Sequence, residues 1–467
     1  MNKQEVVIRS REDVIRFVNS RPHSNKILLV VLVALGGVFI DAYDFTSLGI
    51  GTDQIKEEFS LTPFALGSIT AIMAFGALIG AFIGGYLTDK IGRLKMFMLT
   101  MVMFVVSALG AALSFNVETL MFFRFMMGLA VGIDFPAAMS FIAEYSNSAS
   151  KGKNVNLWQP VFYVAACFTG IVALPFYLGG AEETLWRWVV GFGAIPAAIM
   201  LILRHKLIDE SPMWAARYLS IEEAAQVLRK NYKIKVTVAP EVIKEKKKEK
   251  ISYRKLFSKK YGLRTLLVSI LNTTQAMEYY AVGFYLPTIS VLIFGEDFIY
   301  AILGAITFNL FGIAGGFVQS RITEKMGVRR LAILGYTGVI ISLLILGMFK
   351  ENIPLYGQAL LVGLFIFSHS FGPGAQGLTM ATLSYPTEIR GLGTGWAEAM
   401  IRVGSMIGFF FFPMVLAAVG LTKMLLWLIL APLLGLLSLL FIKWEPIGQD
   451  IEEVDSVEKG QAIGVEV

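Results

Sequence analysis

Gly84-Gly85-Tyr86-Leu87-Thr88-Asp89-Lys90-Ile91-Gly92-Arg93-Leu94-Lys95 is a short charged turn set between two long apolar runs. It has an echo in Gly315-Gly316-Phe317-Val318-Gln319-Ser320-Arg321-Ile322-Thr323-Glu324-Lys325-Met326-Gly327-Val328-Arg329-Arg330. Acid, base, one residue and glycine recur from Asp89 to Glu324, a separation close to half of the 467-residue chain. The same turn at the same place in both halves is the mark of an internal duplication. The copy is imperfect, because glutamate replaces aspartate and Val328 stands where the first turn has Arg93. No matching latch is expected in the second half.

Working outward from the two turns, the chain resolves into twelve apolar runs: 27–50, 64–87, 96–115, 120–143, 157–178, 187–203, 264–290, 299–320, 331–349, 355–383, 391–418 and 424–442. About 20 apolar residues at 1.5 Å per residue cross a hydrocarbon core of about 30 Å. An unsatisfied backbone group in lipid costs several kcal/mol, so runs of this length are expected to be helices. A β-barrel needs alternation at period two, which is missing here. Hydrophobic residues make up 55% of the chain and charged residues 16%, against about 25% charged in a soluble domain. Disordered chains, disulfide scaffolds and water-soluble enzymes are excluded. Cys167 cannot form an internal disulfide and lies in an apolar run, as a small packing residue would.

The expected architecture is therefore an all-α membrane protein of two six-helix bundles, 27–203 and 264–442. A segment 1–26 precedes them, a basic linker 204–263 joins them, and a tail 443–467 follows. Of 41 Lys and Arg, 35 fall on the side of residue 1. Lys56, Arg187, Lys350 and Lys423 fall on the other side, and Arg124 and Arg402 lie inside spans. The bias places both termini in the cytoplasm of a multi-pass cell-membrane protein. It also spreads the net charge of +6 over many loops, which excludes a nucleic-acid groove. Residues 1–26 lack the apolar core of a signal peptide. The run Lys244–Lys250 reads as a solvated face within a linker carrying short amphipathic helices such as 221–231, and the tail reads as acidic and mobile.

Four motifs carry a resemblance to the major facilitator superfamily over nearly the whole chain. Asp89-Lys90-Ile91-Gly92-Arg93 resembles its signature loop, and Arg124-Phe125-Met126-Met127-Gly128 with Gly132 its fourth-helix motif. Asp209-Glu210-Ser211-Pro212 is similar to the sugar-porter sequence after span six, and Pro386-Thr387-Glu388-Ile389-Arg390-Gly391 to the one before span eleven. The resemblance implies a carrier whose halves rock about a central site. Independently of it, Asp89, Arg93, Glu144, Glu388 and Arg390 all fall at the basic ends of spans. Opposed acids and bases there can latch the halves shut on the cytoplasmic side. A surface pair contributes only about 0–1 kcal/mol, so several are needed.

Ionisable groups inside spans are costly and mark function. At the helical rise, Asp41 lies about 21 Å and Asp44 about 25 Å from the cytoplasmic entry of span one. Three residues apart, they share a face and form a proton site. Arg124, about 6 Å below the outer surface, is placed to support them. Asp134 and Arg402 come from opposite halves at depths of about 15 Å and 16 Å, the depth where carriers bind substrate, and are expected to line one shared cavity. The planar fork of Arg402 suits a carboxylate or phosphate. Asp41-Ala42-Tyr43-Asp44, Gly132-Ile133-Asp134-Phe135-Pro136 and Ile401-Arg402-Val403-Gly404 resemble the proton-coupled organic-anion, aromatic-acid and phosphate branches. That implies Asp41 and Asp134 as proton carriers, Asp44 beside them and Arg402 as the anion holder. Arg402 and Phe135 depart from the lysine and tyrosine of the phosphate pattern.

A neutral sugar stays open because amide, hydroxyl and aromatic groups recur in the spans. Gln159, Gln275, Glu278, Tyr279, Gln376 and Trp396 are its candidate contacts, with Trp158, Asn272 and Asn309. Glu398, about 10 Å deep, reads as facing the vestibule, and His369 as a packed histidine. The expected partners are a small solute, protons and the lipid bilayer, with a monomer as the working unit. No catalytic residue, metal site or cofactor is expected, since His-Glu-x-x-His, Gly-x-Ser-x-Gly and a Walker loop are all missing.

Overall fold

The computed structural model describes residues 5–20, 25–232, 234–239, 252–283, 286, 290, 298–449 and 451. The Lys244–Lys250 run and residues 452–467 of the tail lie outside the described residues. Among the described residues, ten helices are long and apolar enough to cross a membrane. In chain order they are α1 (Ile27–Ile50), α2 (Ala71–Ile91), α3 (Arg93–Ala112), α4 (Val117–Tyr145), α5 (Lys151–Leu178) and α6 (Glu182–Leu207) in the first half. The second half supplies α8 (Ile302–Met326), α9 (Val328–Asn352), α10 (Leu355–Leu383) and α12 (Thr422–Phe441). The other two expected spans are also helical: α7 is Gly262–Gly283, and α11 is residues 390–419, ended by the non-helical Gly420. Those two carry Asn272, Gln275, Glu278, Glu398 and Arg402, all buried.

Within the first half, α2 and α4 approach through small residues. A Cβ on Gly80 would meet Leu129 O at 2.5 Å, and one on Gly132 would meet Ala77 O at 2.1 Å. Such contacts are the means by which helices associate where lipid supplies no hydrophobic drive. Across the halves, α2 packs on α11 and α5 on α8, a pseudo-symmetric pair of seams.

Two details depart from the sequence reading. α6 runs on to Leu207, so Arg204 belongs to a helix and not to the linker, and its side chain is fully buried. The segment before α1 is also folded: β1 (Glu5–Ile8) pairs in parallel with β2 (Lys235–Val238) from the linker. Ile8, Val14 and Val18 pack there with Met213, Ala224 and Leu228. The amphipathic helix expected at 221–231 is present as Ile221–Tyr232, with Ile221, Ala224, Ala225 and Leu228 on its buried face.

Candidate functional site

A narrow cavity of about 30 Å³ lies between the halves, room for water rather than for a whole solute in this state. Its wall is formed by Asp41 of α1, Phe135 of α4, Trp158, Gln159 and Phe162 of α5, and Gln275, Tyr279 and Tyr280 of α7. His369 of α10 and Glu398, Ile401 and Arg402 of α11 complete it. A second, smaller void of about 10 Å³ shares Tyr280 and Arg402 with the first and reaches Phe45 and Arg124. Of the expected contacts, Trp158, Gln159, Gln275, Tyr279 and Arg402 line the cavity.

Arg402 is engaged from two directions. Its Nη2 lies 2.6 Å from Glu398 Oε1 and 3.3 Å from Asp41 Oδ2, and its Nε donates to Glu398 Oε1 at 2.8 Å. Glu398, expected to face the vestibule, is thus half of an i,i+4 ion pair at the site. The Asp41 contact joins the first and second halves. Asp44 is buried one turn further along, and neither of its carboxylate oxygens has a hydrogen-bond partner among the described residues. Arg124 donates to the Asp44 backbone oxygen at 3.5 Å, and its own Nε has no partner. Arg124 therefore sits beside the aspartate pair, as expected from its depth.

Asp134 does not meet Arg402. It is held inside the first half by Arg204, Nη1 to Oδ1 at 2.5 Å and Nη2 to Oδ2 at 3.0 Å, and by Thr100 Oγ1 at 2.6 Å. The expectation of a shared Asp134–Arg402 centre fails because depth along a helix does not give its rotation. Arg204 also donates to Ala34 O at 2.6 Å and Val33 O at 3.4 Å, carbonyls beside the break at Leu35 in α1. A Cβ on Gly37 would lie 1.7 Å from Asp134 Oδ2, so only glycine lets α1 pass. Gln376 and Trp396 also stand away from the cavity wall. Gln376 joins Asn156 (3.1 Å) and Gln319 (2.8 Å) in a buried amide network across the α5–α8–α10 seam. The Trp396 indole donates to Ser269 Oγ at 2.7 Å and packs on Phe82 and Phe257.

At the basic end the expected latch residues do converge, as a buried cluster rather than as surface pairs. Arg93 bridges Asp89 (3.1 Å) and Glu144 (2.7 Å), all three fully buried. Asp89 then accepts from Gly391 N at 3.2 Å and Leu392 N at 3.0 Å in the first turn of α11. Arg390 reaches Glu144 at 3.4 Å. These contacts join α2 and α4 to α11 and close the basic end. Glu388 turns outward to Arg217 (3.0 Å) and Lys255 of the linker.

The second half repeats more of this than its degenerate loop suggests. Glu324 accepts from Lys153 N at 3.0 Å, in the first turn of α5, as Asp89 does for α11. Glu210 accepts from Arg93 N (3.1 Å) and Leu94 N (3.2 Å) at the start of α3. Glu445 accepts from Val328 N (3.1 Å) and Arg329 N (2.9 Å) at the start of α9. Gly92 (φ 115°) and Gly327 (φ 84°) precede those helices, and a Cβ at either would strike the capping glutamate. Burial raises the Glu210 carboxyl above its usual range, with its backbone donors and Arg93 pulling the other way. Glu445-Pro446 echoes Glu210-Ser211-Pro212, a signal available in the sequence once the halves are aligned.

Residues 29–457 match the family described as sugar (and other) transporter. The chain belongs to that family. It is 26% identical over 441 residues to the putative metabolite transport protein YaaU of Escherichia coli, covering 93% of this chain and 96% of that one. It is likewise 26% identical over 459 residues to the arabinose-proton symporter of Bacillus subtilis, covering 94% and 96%. The fold matches the proton:xylose symporter XylE bound to 6-bromo-6-deoxy-D-glucose with a TM-score of 0.78 at 21% identity, over 93% of this chain and all of that one. This is a major facilitator superfamily, sugar-porter-like protein, a multi-pass membrane transporter and not an enzyme.

Proposed function

We propose that the chain is a proton-coupled symporter of a neutral sugar or closely related polyol, working by alternating access across the cell membrane with both termini in the cytoplasm. The observation that carries the solute class is the state of Arg402. Its fork is already filled by Glu398 and Asp41, so an incoming anion meets two carboxylates for one guanidinium. The remaining wall of Trp158, Gln159, Gln275, Tyr279 and Tyr280 offers amides, hydroxyls and aromatic faces, which suit a polyhydroxylated ring. The names of the arabinose-proton and proton:xylose symporters favour the same class. The organic-anion reading drawn from Arg402 alone is therefore the weaker one, and phosphate falls with it.

Protons enter the scheme at Asp41 and Asp44. Asp41 holds the two halves together through Arg402, and protonating it weakens that tie. Asp44, whose carboxylate has no donor among the described residues, is buried beside Arg124. Asp134 is read as structural, since Arg204 and Thr100 saturate it. Uptake into proteoliposomes tests the whole reading. Labelled D-xylose, L-arabinose or D-glucose should accumulate under an inward proton gradient, and benzoate and phosphate should not compete. Asp41→Asn should abolish accumulation while preserving exchange. Accumulation of a carboxylate instead, or full proton-driven uptake by Asp41→Asn, would sink it.

A further inference from the structure

Beyond Asp41, one ionisable pair at the cavity has no part in the scheme above. Glu278 on α7 is fully buried, and its Oε1 lies 3.0 Å from His369 Nδ1 on α10. Its second oxygen, Oε2, has no hydrogen-bond partner among the described residues. His369 lines the cavity, whereas Glu278 stands behind it. The imidazole stacks on the Tyr279 ring at 4.6 Å, which fixes its plane. A Cβ on Gly374 would lie 2.5 Å from its Nε2, so glycine keeps that edge clear.

The surroundings supply little to compensate a charge. Tyr279 of the same helix, Tyr163 of α5 and Tyr336 of α9 are the ionisable groups packed around the pair, and all are buried. Tyr336 is itself taken up by Thr274 at 2.7 Å. Arg402, Glu398, Asp41 and Tyr280 line the same cavity as His369; Arg402 pairs with both carboxylates, and Glu398 Oε2 has no hydrogen-bond partner among the described residues. Among the described residues no arginine or lysine is paired with Glu278. A lone carboxylate in that setting is costly, and one proton shared with the imidazole makes the pair neutral. A carboxylate behind an imidazole that lines a cavity is a geometry that can pass a proton between that cavity and the carboxylate.

We propose that Glu278 and His369 form a second proton-carrying site, in the wall of the second half, separate from the Asp41–Arg402 tie. The inference rests on the proton-coupled reading above. It adds one proton to each solute moved, taken from the cavity onto the pair before the halves rock and released after. The proton sits on Glu278 or on His369, and no covalent step is involved.

Infrared difference spectroscopy of the full chain in lipid, between about pH 5 and about pH 9 on either side of the usual histidine range, reads the pair without a solute. The expected spectrum contains a carboxyl or imidazolium band lost in both Glu278→Gln and His369→Gln and kept in Asp41→Asn. Glu278→Asp, which restores the carboxylate, should restore the band. A Glu278→Gln difference spectrum identical to that of the wild type overturns the proposal. A second readout uses the sugar that accumulates in the preceding test, with the membrane potential clamped at zero. A tenfold sugar gradient should then be balanced by about half a pH unit in the wild type and by about one unit in Glu278→Gln. Balance at about one unit in both overturns the second site alone. Loss of proton coupling in both overturns the symport reading instead.

Discussion

Arg204 sits in the last turn of α6, where its position among His205 and Lys206 gave it the look of one more topology-setting cation. Its guanidinium is instead spent on both oxygens of Asp134 and on the carbonyls at the break in α1. Removing one member of a buried ion pair leaves the other uncompensated, at a cost of about 3–5 kcal/mol. Arg204→Leu should therefore lower the melting temperature in detergent sharply, and Asp134→Leu likewise. The double variant should recover much of the loss, because two apolar side chains leave no orphan charge. Additive losses in the double variant would show that the two residues stabilise the bundle independently. Arg402, by contrast, was recognised from depth alone, because an unbalanced guanidinium at mid-membrane has few explanations.

At the scale of elements, the glutamate caps make the duplication physical. Glu210 and Glu445 each satisfy two backbone N–H groups that the first turn of a helix cannot satisfy itself. Losing such a buried acceptor costs about 1–3 kcal/mol. Glu210→Ala and Glu445→Ala should thus destabilise by similar amounts, although one residue lies in the linker and the other in the tail. A neutral Glu445→Ala would mean that the second cap is incidental. The sign of the pH dependence follows from the raised folded-state affinity of Glu210 for its proton. That contribution is complete below the unfolded value near 4.5 and is lost as pH rises through the folded value. The stability advantage of the wild type over Glu210→Gln should therefore shrink with rising pH, as read by melting temperature in matched buffers.

The elements themselves were largely legible because hydropathy and charge segregation are long-range averages that survive local error. What escaped were matters of rotation and of short structure. Period and depth placed Asp134 correctly along α4 but could not say that it faces α6 rather than α11. The four-residue strands β1 and β2 carry too little pattern to pair two segments more than 200 residues apart in sequence. Gln376 and Trp396 looked like solute contacts because polar and aromatic groups in a span are ambiguous between a cavity and a seam. Glu398 was undervalued for the opposite reason, since its partner Arg402 lies one turn away and its importance depends on Asp41 in another half.

For the whole molecule, the question is what keeps the basic end shut. Asp89 accepts two N–H groups of α11 while tied to Arg93, and Glu144 reaches Arg390, so the contact between halves runs through buried groups on rigid helix ends. Asp89→Ala leaves Gly391 and Leu392 N–H without acceptors only while the end is closed, because opening exposes them to water. The substitution should therefore shift the population toward the open state rather than simply unfold the protein. A bias of about 1.4 kcal/mol is a tenfold change in the open fraction. Ser140, fully buried and 3.4 Å from Thr394 of the other half, offers a reporter in a Cys167→Ala background. Maleimide labelling of Ser140→Cys should rise about tenfold when Asp89→Ala is added, at unchanged melting temperature within a few degrees. Glu388→Ala should raise it much less, since that carboxylate binds Arg217 and Lys255 and bears on the linker. Equal labelling with and without Asp89 would mean that the α5–α8–α10 amide network, not the charged cluster, holds the halves together.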